Sequence, residues 1–194
     1  TLFRSLLAAL DDRIDRRHAA VKLYLARIAA PGLTEAEALR RDELIGACVK
    51  LEQVGDIIVR NLLPQAKKKL ARGLEFTDEG WDELCAFHRS VLADARLAFN
   101  LLVSRDYDTA RQLVQEKDRL RELEKETSRR HFARLGEGTT RSVETSSIHL
   151  DTIRDLKQIN SLLTAIAYPA LEEQGLLYGS RLRSREQEAA GPAG

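Results

Sequence analysis

Leu51-Glu52-Gln53-Val54-Gly55-Asp56 returns about 105 residues later as Leu156-Lys157-Gln158-Ile159-Asn160-Ser161. The apolar positions and the Gln are kept, and Pro64 matches Pro169 at the same spacing. Upstream, Asp11-Asp12-Arg13-Ile14-Asp15 lines up with Lys117-Asp118-Arg119-Leu120-Arg121. Self-similarity at a fixed spacing signals a duplicated structural unit. The copies differ where chemistry could reside: acids in the first are replaced by Lys117, Arg121, Lys157 and Ser161 in the second.

The surrounding composition suits helices. Of 194 residues, 43% are hydrophobic but only 5% aromatic, so the core must rest on Leu, Ile, Val and Ala. That fits helix-on-helix packing better than a β-sandwich. Charged residues make up 31% and nearly cancel, leaving a formal charge of +1, which argues against a general pull on nucleic acid. Cys48 and Cys85 show no paired spacing and read as two small buried thiols. No apolar run approaches the roughly 18–20 residues that span a bilayer. The chain starts at Thr1 and contains no Met, so the expectation is an excised piece whose missing part lies upstream.

Apolar spacing predicts a first helix over about residues 2–30, stopped by Pro31-Gly32. Thr34 with Glu37 forms a capping box that opens a second helix running to about 72 and kinked at Pro64. Thr77 caps a third helix over about 78–104, and Asp106 or Asp108 opens a fourth over about 107–135. Gly136-Glu137-Gly138 breaks the chain before a fifth helix over about 140–175, kinked at Pro169. No strand signal with a partner is evident, so the class is all-α. Residues 1–75 form a first repeat, 76–177 a second and 178–194 a disordered tail. The second repeat begins with a helix, 78–104, that has no counterpart in the first.

Asp11 and Asp15 are four apart and share a face of helix one; Glu52 and Asp56 do so on helix two. Counted from the turn near residue 32, the first pair lies ~28 Å along its helix and the second ~33 Å along the other, at ~1.5 Å per residue. Four carboxylates at one height repel, and a multivalent cation would compensate them. The alternative, left open by spacing, is solvated acids paired with Arg13, Arg16, Arg17, Lys50 or Arg60. Gly55, inside a helix at a cost of ~1 kcal/mol, marks a close approach. His18 could add a ligand, although a surface histidine is the plainer reading. His88, His131 and His149 show no partner pattern. Lys67-Lys68-Lys69 with Arg72 reads as a solvated helix end, with a membrane surface as the rival.

Leu51-Glu52-Gln53-Val54-Gly55-Asp56 resembles the Leu-Glu-Arg-Ile-Gly-Asp hallmark of the PhoU family, and Asp11 with Asp15 matches the Asp-x-x-x-Asp of its preceding helix. The stretch from about 11 to 175 can be laid on the family. The wording is closest to the PhoU-like domain after the membrane part of bacterial sodium/phosphate cotransporters. Ile57-Ile58, Gly80-Trp81, Glu116-Lys117-Asp118 and Val143-Glu144-Thr145-Ser146-Ser147-Ile148-His149-Leu150-Asp151 all read like that subgroup. The resemblance implies tandem three-helix bundles, with the first helix of repeat one missing upstream. It implies a non-catalytic regulatory domain on the cytoplasmic side of the inner membrane, acting in phosphate uptake and homeostasis. The membrane part of a transporter would be its partner, with self-association a second option. The rival is a stand-alone adaptor docking on a transporter or sensor kinase. By carry-over Asp11, Asp15, Glu52 and Asp56 would hold a multinuclear iron or zinc centre, in repeat one only. Arg60 departs from the Asn the family often has there. No base or substrate pocket for an enzyme is legible.

Overall fold

Thr34 orders the first hairpin as its spacing requires. Its hydroxyl accepts from the Glu37 N–H, and the Glu37 carboxylate accepts from the Thr34 N–H at 2.8 Å, which closes the capping box. The structure, a computed structural model, describes residues 2–28, 32–138, 140–175, 177–178 and 181–182; for residues 2–8, 11 and those from 177 on it describes backbone alone. The expected stop at Pro31 lies outside the described residues.

Helix α1 spans Leu2–Arg27 and α2 spans Glu35–Ile57. A π-helical turn, Ile58–Leu62, follows before α3, Leu63–Ala71. The expected kink at Pro64 takes this form for a physical reason. Pro64 has no N–H for the Arg60 carbonyl, and its ring crowds that carbonyl. One widened turn, in which the Leu63 N–H reaches back to the Ile58 carbonyl, accommodates the proline without ending the helix.

Helices α4 (Asp78–Ser104), α5 (Tyr107–Gly136) and α6 (Thr140–Thr164) form the second repeat. Thr77 and Asp106 are the N-caps, accepting from Gly80 and Thr109 N–H groups. Instead of a kink at Pro169, α6 ends at Thr164, and α7 (Tyr168–Glu173) starts anew with the proline in its first turn. Arg105 ends α4 in the left-handed region, φ 52°, which an L side chain adopts at a cost. Its guanidinium bridges Glu43 of α2 at 3.1 Å and Glu173 of α7 at 2.8 Å, which ties the bent residue to both repeats.

The all-α class holds, with one small departure. Leu177–Tyr178 (β1) pairs antiparallel with Arg181–Leu182 (β2), where an unstructured tail was expected from residue 178. The cue is the intervening Gly179-Ser180 pair, a composition that two-residue hairpins favour. The remainder of the expected tail, 183–194, lies outside the described residues.

Phe87, Ala98 and Leu101 of α4 pack with Leu113 and Leu120 of α5 and Ile159 and Leu163 of α6; Ala47 and Ile57 of α2 join the same core. Helix α4 makes the two repeats unequal. Leu120 is 4% exposed, whereas its counterpart Ile14 is 44% exposed; Leu163 is 2% exposed, whereas its counterpart Ile58 is 40% exposed. Cys48 and Cys85 are free and only half-buried, so the expectation of buried thiols is corrected. Each lies at the edge of the apolar packing.

Candidate functional site

The α1–α2 seam fixes where the sequence-predicted acids stand. A Cβ on Gly55 would lie 3.9 Å from the Ile14 side chain, and Cys48 Sγ lies 4.0 Å from the His18 carbonyl. The two acid pairs are therefore level, as counted. Their faces differ. Ile14 occupies the seam, and Asp15, one residue or about 100° further round, is exposed. Glu52 is half-buried. Asp56 forms a 3.0 Å ion pair with Arg60, one of the partners left open by spacing. His18 Nε2 is buried without a partner. Asp11's side chain lies outside the described ones. As placed, Asp15, Glu52 and Asp56 do not form a metal cage, and among the described residues no three His, Cys, Asp or Glu side chains do.

The denser polar constellation is in the second repeat. Glu83 of α4 and Arg134 of α5 form a two-pronged ion pair at 2.8 and 2.7 Å, with side chains 8% and 13% exposed. His149 of α6 places Nε2 3.4 Å from Glu83 Oε2, close but outside hydrogen-bond geometry, and both its ring nitrogens lack partners. Its ring stacks on His131 of α5, centroids 4.6 Å apart and 8° from parallel. His131 Nε2 meets Ser146 Oγ at 2.9 Å. Burial, and then the neighbouring His131, push the His149 pKa down to about 4. Burial and then Arg134 also lower that of His131. Both rings are neutral at neutral pH, so Arg134 alone balances Glu83.

The Glu83–Arg134 pair lines a groove of about 970 Å³ between α4 and α5. Glu79, Asp82 and Glu137 on its walls outnumber Arg89, while Arg130 is spent on Glu126. Arg134 and Glu83 neutralise each other through Nη1 and Nη2, although Arg134 Nε stays buried without a partner, so the pair is a structural brace and not a free anion or cation site. Sequence reading missed it because the residues that touch lie 15 to 66 apart and on different helices, beyond the reach of any periodicity. A second brace joins the repeats. Asp155, fully buried on α6, accepts from Asn61 Nδ2 at 3.2 Å and Gln65 Nε2 at 2.9 Å. The π turn carries Asn61, and α3 carries Gln65. The Pro64 region thus serves to aim two amides at a buried carboxylate.

The basic run behaves as a helix end. Lys67 and Lys68 are exposed in α3, and Lys69 lies over the Phe76 ring at 5.4 Å. No helix among the described residues is long and apolar enough to cross a membrane.

Comparison with known proteins places this scaffold. Two relatives from Escherichia coli (strain K12) and Salmonella typhimurium bear the name "Putative inorganic phosphate export protein YjbB". Each is 38% identical over 167 residues, which is 86% of this chain and 31% of the relative. The chain therefore spans about a third of the length of the curated relatives it matches. No solved structure matches. The PhoU domain matches residues 82–170, the copy that lacks the acids and holds α4, α5 and α6. By this match, residues 82–170 are similar to the PhoU domain.

Proposed function

We propose that this chain is a non-catalytic regulatory module acting in phosphate homeostasis, joined to the membrane part of a sodium-coupled phosphate transporter and lying on its cytoplasmic side. The observation that carries this reading is 38% identity over most of the chain to proteins named for phosphate export. Those proteins are about three times as long as the matched stretch, which leaves ample chain for a membrane part. A helical body whose polar clusters are internally neutralised suits a relay of conformational bias better than bond-making chemistry. One surface open to contact is the outer side of α1, where Leu10, Val21 and Tyr24 emerge among charged residues. An apolar patch rimmed by charge is a common mark of a protein contact.

The test is phosphate flux through proteoliposomes containing the complete polypeptide, in sodium and in choline buffers. Replacing Leu10 and Val21 together by Lys should change the flux several-fold without abolishing it. Flux identical to that of the unaltered protein would overturn the regulatory reading. A metal at Asp11, Asp15, Glu52 and Asp56 would require Asp56 to exchange Arg60 for the ion. A melting temperature that rose with added zinc, iron or manganese, and ceased to rise in Asp56→Ala, would establish one there.

A further inference from the structure

Asp94 of α4 and Asn160 of α6 take part in none of the contacts above. Each is 2% exposed, and Asp94 Oδ2 and Asn160 Oδ1 both lack a hydrogen-bond partner. Thr164 Oγ1, one turn beyond Asn160, is buried and unpartnered as well. Register brings them together. The chain reverses after α4 and again after α5, so α4 and α6 run parallel, and Glu83 meets His149 across them. Asp94 and Asn160 each lie eleven residues beyond that pair on their own helices. Eleven residues are about three full turns, so each projects from the same face as its predecessor and at the same height.

By this register two buried, unpartnered oxygens that only accept belong to one seam between α4 and α6. An ionised carboxylate and an amide oxygen cannot satisfy one another, but a protonated carboxyl is a donor. The charge around Asp94 favours the proton. Glu116, ion-paired with Arg119 at 2.6 Å, adds a second negative charge from α5, and α6 contributes the neutral Asn160 and Thr164. The nearby lysines are engaged elsewhere, Lys117 with Tyr168 Oη at 3.0 Å and Lys157 with Glu124. Burial, and then Glu116, raise the Asp94 pKa to about 7.

We propose that Asp94 and Asn160 form an internal proton-binding site, in which protonated Asp94 donates from Oδ2 to Asn160 Oδ1 and closes the α4–α6 seam. This goes beyond the regulatory reading and stands or falls without it. Loss of the proton breaks that hydrogen bond, and the carboxylate must then recruit the Asn160 amide N–H or the Thr164 hydroxyl or stay unpaired. The folded chain holds this proton more tightly than the unfolded one. The site's stabilisation is therefore complete at low pH, fades as pH rises from the ordinary carboxylate range, and is gone above about 7.

Carbon-detected NMR on the whole chain tests it directly. The Asp94 carboxyl carbon, followed from about pH 4 to about pH 9, should titrate near neutrality; a midpoint in the ordinary carboxylate range overturns the site. Asp94→Asn supplies a permanent donor of the same shape. Its melting temperature relative to the unaltered chain should climb as pH rises from the ordinary carboxylate range to about 7 and level off above, and a difference that does not change with pH also overturns the site. If the variant fails to fold, the carboxyl titration decides alone.

Discussion

At the scale of single residues, His149 is a base that the fold keeps neutral. Its folded pKa, about 4, lies below the ordinary value of 6.5 because the ring is buried against His131. Unfolding exposes a ring that binds a proton more readily. The stabilisation is therefore present above pH 6.5 and is lost as pH falls through about 4. At 1% exposure the ring feels little solvent screening, and the shift corresponds to on the order of 3 kcal/mol. Urea midpoints at neutral pH and near pH 4 should differ by less in His149→Phe, which keeps an aromatic ring and removes the titration. Glu83 gives the companion prediction. Glu83→Gln leaves the Arg134 guanidinium buried without its counter-charge and should cost roughly 3–5 kcal/mol in chemical denaturation. Replacing both partners, Glu83→Leu with Arg134→Met, should recover most of that loss. A single variant with unchanged stability would show that water reaches the pair.

At the scale of elements, the caps were legible and the irregular turns were not. Thr34, Thr77 and Asp106 sit where short-range chemistry puts them, because a cap needs only its own side chain and the next three residues. Thr34→Ala should lower stability by about 1 kcal/mol, read as a shift in denaturation midpoint with unchanged slope. Pro64 and Pro169 announced an interruption of each long helix, but not its form. At Pro64 the chain widens one turn and carries on, because Asn61 and Gln65 on either side are anchored to Asp155 on α6. At Pro169 it stops and restarts, with Ala167 fully buried. Tertiary partners chose between the two outcomes, and no pattern within one helix could name those partners. The candidate site shows the same boundary. Spacing placed Asp15 and Asp56 at one height, yet could not say that Ile14 would take the seam and turn Asp15 outward. His131 and His149 stack only because three helices meet, so their lack of a local pattern concealed a central cluster.

At the scale of the whole molecule, the duplicated repeats are unequally built, and this sets where the chain should open first. Helices α4, α5 and α6 bury one another along their lengths, with Phe87, Ala98 and Leu113 wholly enclosed. Helix α2 shares that core through Ala47 and Ile57 and is tied to it by the Asp155 amides and the Arg105 bridge. Helix α1 has less support. Among its described side chains only Leu25 is buried, while Leu10, Ile14, Val21, Leu23 and Tyr24 are exposed. Helical propensity alone seldom holds a helix in water, so α1 depends on one seam with α2. Local opening should follow that deficit. Amides of α1 should exchange at least about tenfold faster than those of α4 to α6 under conditions where opening is in equilibrium, with α2 protected like the second repeat. Joining α1 to that unit would need cover over Ile14 and Val21, as α4 covers Leu120 and Thr127 in the second repeat. Equal protection in α1 and α5 would show that the α1–α2 seam is worth more than its burial indicates. Fast exchange in α2 as well would show that the Asp155 and Arg105 ties fail to bind the first repeat to the second.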